Sequence, residues 1–165
     1  QVLERDAARW MSWIELRRPE KDVRCLDALI AALRGSVGHV FVPHFARLKA
    51  SGSLAGNPQL VSGTGTTLTI DGFTPDAVGV LLAGDYIQTS PGRVHMVLQD
   101  VDADATGEAL VGVAPRLREA VIAGPLITEN CRVRMRLTSD ESNENLTDIR
   151  FRTSFLLDLM EVLPQ

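Results

Sequence analysis

The sequence predicts a mainly-β fold: antiparallel sheets of the β-sandwich or small-barrel type, with one substantial α-helix at about residues 22–34. Three observations carry that expectation. Apolar and polar residues alternate with a period of two through several segments, most cleanly at Cys131 to Leu137. Turn-forming residues recur roughly every ten positions in the second half, the spacing of sandwich and barrel strands. Only one long stretch has its apolar residues at helical spacing.

Taken in order, Trp10 to Leu16 reads as a strand. Trp10, Ser12, Ile14 and Leu16 share one side, and Met11, Trp13 and Glu15 the other. Pro19 closes it, because proline has no N–H to give to a ladder. Asp22 is a suitable N-cap for a helix running to Arg34. Cys25, Leu26, Leu29, Ile30 and Leu33 form its apolar stripe, the alanines between them favour helix, and Gly35 is the stop. Val37 to Val42 is a short strand ended by Pro43. Residues 46–66, with Gly52, Gly56, Pro58, Gly63 and Gly65, form a Gly-rich surface loop with room for a brief strand at Gln59 to Ser62.

From Thr66 the alternation is regular to Ile70, and Asp71-Gly72 turns the chain. Val78 to Leu82 is apolar, Gly84-Asp85 turns into Tyr86-Ile87-Gln88, and Ser90-Pro91-Gly92 turns again. Arg93 to Val101 alternates, Asp102 to Gly107 is a turn, and Ala109 to Val113 is the return strand, broken by Pro115. In Cys131 to Leu137, Val133, Met135 and Leu137 point one way and Arg132, Arg134 and Arg136 the other. Asp140 to Asn145 is an acidic loop, and Asp148 to Leu163 forms one long strand. No fixed period repeats, which excludes a solenoid. The chain reads as one domain over residues 1–165, with Trp10, Trp13, Leu26, Leu29, Ile30, Leu33, Phe41, Ile87, Val133, Met135, Phe155 and Leu157 expected in its packing.

Composition narrows the function. At 165 residues and 45% hydrophobic, the chain can bury a core of its own. Its small-and-apolar run through Val78 to Gly84 is far short of the ~20 residues of a spanning helix, so no membrane insertion is expected. The charged opening, Glu4, Arg5, Asp6 and Arg9, is not a signal-peptide pattern. The net charge of -4 argues against sequence-specific nucleic-acid binding. It is unevenly spread, with 9 basic and 6 acidic residues over positions 1–50 against 8 and 15 over 51–165. Cys25 and Cys131 are too few and too far apart for a disulfide framework, and both read as reduced core residues.

Catalytic, metal and cofactor residues are not expected. Asp100, Asp102 and Asp104 start like a calcium loop, but Ala105 and Val111 stand where it needs Gly and a bidentate Glu. His39, His44 and His95 have no ligand spacing. The run Ser62-Gly63-Thr64-Gly65-Thr66 lacks the lysine and the following helix of a phosphate loop. No nucleophile elbow or zinc-protease motif occurs.

The arginines are the more informative feature. Arg132, Arg134 and Arg136 share one strand face, and Arg150 and Arg152 share another. Such rows repel one another unless they meet acids, and Asp140, Glu141, Glu144 and Asp148 lie between them in sequence. Two readings stand: a solvated, self-paired sheet face, or a charged seam against a neighbouring subunit, where arginine's bidentate geometry is favoured.

One family resemblance rests on the stretch from Val80 to Arg118. Its Ala83-Gly84-Asp85, then Tyr86 and Ile87, Arg93, His95, Val97, Asp100, Asp104, Gly107, Ala109, Pro115, Leu117 and Arg118 resemble a segment of tail proteins from long, non-contractile-tailed bacteriophages. Trp10 to Pro43 resembles the opening of those proteins, and Phe155 to Val162 their closing strand. The chain thus resembles a distal tail protein or a closely related minor tail protein. The resemblance implies a β-sandwich-type core and a structural, non-enzymatic virion protein of the tail, assembled in the bacterial cytoplasm. It implies own copies arranged in a six-fold ring that joins the tail tube protein to the tip or hub protein, with the tape measure protein a further partner. The Arg rows and the acidic loop would suit the seam between copies, and the loop from Ala50 to Gly65 could order against a partner. The alternatives are a tube-completion or hub-adjacent protein, a carbohydrate-binding module of the tail tip, and a wall hydrolase. The last would need convergent carboxylates or a metal cluster.

Overall fold

The computed structural model of the chain describes residues 9–45, 47–139, 144–147 and 152–163, with 16–23, 144–147 and 152–155 described by backbone alone. In chain order the elements are β1 (Met11–Pro19), α1 (Glu20–Leu33), β2 (Val40–Pro43), β3 (Gly56–Thr64), β4 (Thr67–Phe73), β5 (Tyr86–Ser90), β6 (Arg93–Val97), β7 (Ala109–Ala114), β8 (Gly124–Pro125), β9 (Arg132–Leu137), β10 (Glu144–Thr147) and β11 (Arg152–Glu161). The chain is mainly β with one helix among the described residues, and every strand ladder whose register is described is antiparallel. No helix there is long and apolar enough to cross a membrane. Two compact units result. One is continuous, Val42–Val133; the other is split, Arg9–Phe41 with Arg134–Leu163.

The continuous unit is built on a six-stranded sheet of order β5-β6-β7-β4-β3-β8. Period-two patterning explains its core: Leu68 and Ile70 of β4, Val111 and Val113 of β7 and Val97 of β6 are fully or almost fully buried, together with Ile87 of β5. Val80 and Leu81 add to it from a loop segment that is bridged from Leu81 to Val101. Each such side chain contributes roughly 1.5–3 kcal/mol by leaving water. The strand expected from Arg93 to Val101 ends at Val97, after which Leu98 is exposed.

Two further details depart from the sequence reading. The second half of the expected 46–66 loop is strand: β3 runs from Gly56 to Thr64, and Gly65-Thr66 turns it into β4. Asp71-Gly72 does not turn the chain. β4 continues to Phe73, and Gly72, at φ +84°, lies where the β3–β4 register shifts. Pro58 on the partner strand has no N–H for the ladder, so the pairing skips there and a glycine takes up the kink.

In the split unit the sheet order is β1-β11-β9-β2, with β10 also pairing β11. β1 lies antiparallel to β11 along its whole length, Met11 opposite Met160 and Pro19 opposite Arg152. The α1 helix packs against β1 and β11. Its buried line is narrower than expected: Leu33 is buried and Leu26 and Ile30 are half-buried, while Leu29 and Cys25 are exposed. It ends as Arg34 and Gly35 take positive φ, and the Gly38 N–H donates to the Leu33 carbonyl at 2.7 Å. Met135, Leu137, Leu157 and Leu159 are buried. The buried Glu161 carboxylate accepts the Trp10 N–H at 3.1 Å.

Candidate interaction face

The arginine row on β9 has the expected phase. Arg132 and Arg136 are exposed and Arg134 is half-buried, alternating with buried Val133, Met135 and Leu137. Arg150, Asp140 and Glu141, with Asp148, lie outside the described residues, and Arg152 and Glu144 are described by backbone alone. What stands beside Arg134 is a histidine. One guanidinium Nη–H donates to His39 Nδ1 at 3.3 Å, which requires that nitrogen to accept and so puts the imidazole proton on Nε2. The Arg134 Nε–H is buried without a hydrogen-bond partner. An unmade donor of this kind costs about 1–3 kcal/mol.

Strand register shows what shares this face in the split unit. Met160 lies opposite both Arg136 and Met11, so these three form one row across the sheet. Asp158 lies opposite Trp13, and Leu156 opposite Glu15. Trp13 is 64% exposed and Met11 68%. Phe41 on β2 is also exposed, and its ring meets His39 edge-on at 6.1 Å. Trp13 and Phe41, expected in the packing, instead stand in solvent. For Trp13 the sequence held the signal: its alternation phase is that of Glu15, and a charged residue in that phase marks the outward side. The sheet therefore presents aromatic, thioether and guanidinium groups together, with β1 at its edge among the described residues. Aromatics, Met and Arg are the residues enriched at protein interfaces and their hot spots.

The acids of the continuous unit have local tasks. Asp85, 5% exposed, accepts from the N–H groups of Ser51 (2.7 Å), Gly52 (3.1 Å) and Leu82 (2.9 Å), which ties the 47–55 loop to the 79–85 segment. Asp100 accepts from Ala83 N–H and Asp102 from Gly79 N–H. Asp104 accepts from the Thr106 hydroxyl and from the Thr106 and Glu108 N–H groups, which together hold its carboxyl below the usual carboxylate range. Among the described residues no three His, Cys, Asp or Glu side chains gather as metal ligands.

His95 is buried on β6, and its Nδ1–H donates to the Pro115 carbonyl at 2.6 Å. Burial pushes its pKa down, and Arg118 and Arg93 act the same way against the smaller opposing pull of that carbonyl. Cys131 is buried as expected, its thiol donating towards the Ile127 and Tyr86 carbonyls, and burial pushes it up to about 11. Cys25, expected in the core, is exposed. A cleft of about 140 Å³ is lined by Arg47, Lys49, Ser51, Gly84, Asp85 and Tyr86. Arg47 spends one Nη–H on the Gly84 carbonyl, and the Asp85 oxygens are already engaged. No protein-family model matches this chain, and no curated protein matches it.

Proposed function

We propose that this chain is a structural subunit of the tail of a long, non-contractile-tailed bacteriophage, a ring-forming protein at the distal end that joins the tail tube to the tip or hub complex. The observation that carries the reading is the outward face of the split unit, where Trp13, Met11 and Phe41 stand exposed beside Arg134 and Arg136 on a sheet whose β1 edge is unpaired among the described residues. A protein whose work is assembly needs such a face, and an open edge strand is itself a site for pairing with another chain. The partners of this reading are its own copies in a six-fold ring, the tail tube protein, the tip or hub protein and the tape measure protein. Its place is the virion tail, and its role is non-catalytic.

The test is the absolute mass of the purified chain by light scattering across concentration and salt, alone and with tail tube rings. A six-fold species, free or formed on the tube, supports the reading. A chain that stays monomeric and does not bind the tube overturns it. The exposed Trp13 indole also favours a second reading, a carbohydrate-binding module of the tail tip, in which the ring stacks on a sugar. Glycan-array binding that is lost in Trp13→Ser would select it.

A further inference from the structure

We infer that the face carrying Arg134, Arg136 and Trp13 on one copy docks onto the acidic loop end of the continuous unit of a second copy, in a head-to-tail contact. The inference deepens the ring reading and rests on its self-association. Its starting point is a segregation of charge. Between residues 50 and 115 the chain has seven acidic residues and a single basic one, Arg93. Five of those acids, Asp76, Asp100, Asp102, Asp104 and Glu108, are exposed on two adjoining loops. The loops are held side by side by hydrogen bonds from Asp76 N–H to the Asp104 carbonyl and from Ala103 N–H to the Ala77 carbonyl, both 2.9 Å. Among the described residues none of the five is in an ion pair.

Apolar groups match as well. Val78, 78% exposed, lies on the same loop pair, the exposed Leu98 begins the 98–108 turn, and β7, leading out of it, carries the exposed Leu110. The acidic end is thus carboxylates around aliphatics, and the split-unit face joins the guanidinium groups of β9 to aromatics and methionine, with Glu15 and Asp158 also on it. The complement to the acidic end is its β9 side. Arg136 is exposed, and among the described residues neither it nor Arg134 is in an ion pair. Glu15 lies on β1 and Asp158 on β11, between β1 and β9, whereas both arginines lie on β9, so the second copy's carboxylates would sit on the β9 side. Because the two patches differ, each copy has one of each, and the contact propagates from copy to copy as a ring requires.

The test uses two full-length variants. Trp13→Ser with Arg136→Glu breaks the aromatic–arginine patch at exposed positions. Asp76→Asn with Glu108→Arg breaks the acidic patch and leaves the carboxylates that accept backbone N–H groups untouched. Circular dichroism and thermal unfolding establish that both fold, and Arg134→Gln serves as a second disruption of the first patch. The expected result is that wild type self-associates, each variant alone loses association by tenfold or more, and an equimolar mixture of the two gives a 1:1 dimer that grows no further. That dimer uses the intact patch of each partner and is available only to a head-to-tail contact. Wild type that stays monomeric overturns the inference. Association that survives in both variants overturns the seam and leaves the ring reading in place. A mixture that stays monomeric overturns the head-to-tail pairing. A mixture that dimerises while wild type forms no closed ring, free or on the tube, leaves the seam standing and removes the ring reading.

Discussion

Replacing Asp85 with alanine removes the acceptor for three backbone N–H groups at once. Its carboxylate takes Ser51 on one oxygen and Gly52 and Leu82 on the other, at 2.7, 3.1 and 2.9 Å. Ser51 is exposed, so water can replace that bond cheaply, whereas Gly52 and Leu82 are half-buried. At about 1–1.5 kcal/mol for each part-buried donor left unmade, with a smaller loss at Ser51, Asp85→Ala destabilises the continuous unit by about 2–4 kcal/mol. Asn supplies only one acceptor oxygen. Placed where it still serves Gly52 and Leu82, it turns its NH₂ on the Ser51 N–H, so Asp85→Asn costs about 1 kcal/mol. Urea unfolding followed by circular dichroism reads the order wild type, Asn, Ala. Amide exchange at Gly52 and Leu82 reads the local loosening directly. An alanine variant within 0.5 kcal/mol of wild type, with unchanged exchange at those amides, would refute the assignment of Asp85 as the tie between the two segments.

Three other outcomes are expected. Because the pKa of His95 is lowered by folding, the unfolded chain binds the extra proton first. Its share of stability is complete above about pH 6.5 and is lost as pH falls through the lower folded value. Thermal melts between pH 7.5 and 5 should therefore decline, and His95→Gln should flatten that part of the profile. Of the two thiols, exposed Cys25 should react with a disulfide reagent within minutes at pH 8, while Cys131, with its pKa raised to about 11 by burial, should react only on unfolding. Gly107→Ala should destabilise by about 1–3 kcal/mol in thermal melts, because φ is +85° and a Cβ there would drive into the Phe73 carbonyl.

Much of this architecture was legible from periodicity. The alternation of β9, the hairpin from Tyr86 through Gly92 to Arg93 and the helix at 20–33 need no long-range information. β3 was harder to read, because Gly56, Asn57, Pro58 and Gly63 are poor strand residues by propensity. Its conformation is imposed by pairing with β4, and Gly63 has no side chain because Leu68, Leu117 and Val121 fill the space a Cβ would need. The interaction face was half legible. The Arg row is visible in the sequence, but hydrophobicity alone sends Trp13 and Phe41 inward, and only strand register shows Trp13 beside Asp158 and Met160 beside Arg136. The use of Asp85 as a three-way acceptor depends on a loop some thirty residues upstream and leaves no local trace.

The pairing of Met11 with Met160 fixes an order of events in time. On a ribosome adding 5–20 residues per second, β1 leaves the exit tunnel roughly ten seconds before the strand it must pair with exists. Val42–Val133 is synthesised without interruption within that interval, so its sheet has every strand it needs while β1 and α1 are still waiting. The split unit is therefore a late closure, achieved only when β11 arrives. Until then the apolar sides of β1 and α1 are the nascent chain's principal exposure to chaperones and to mispairing.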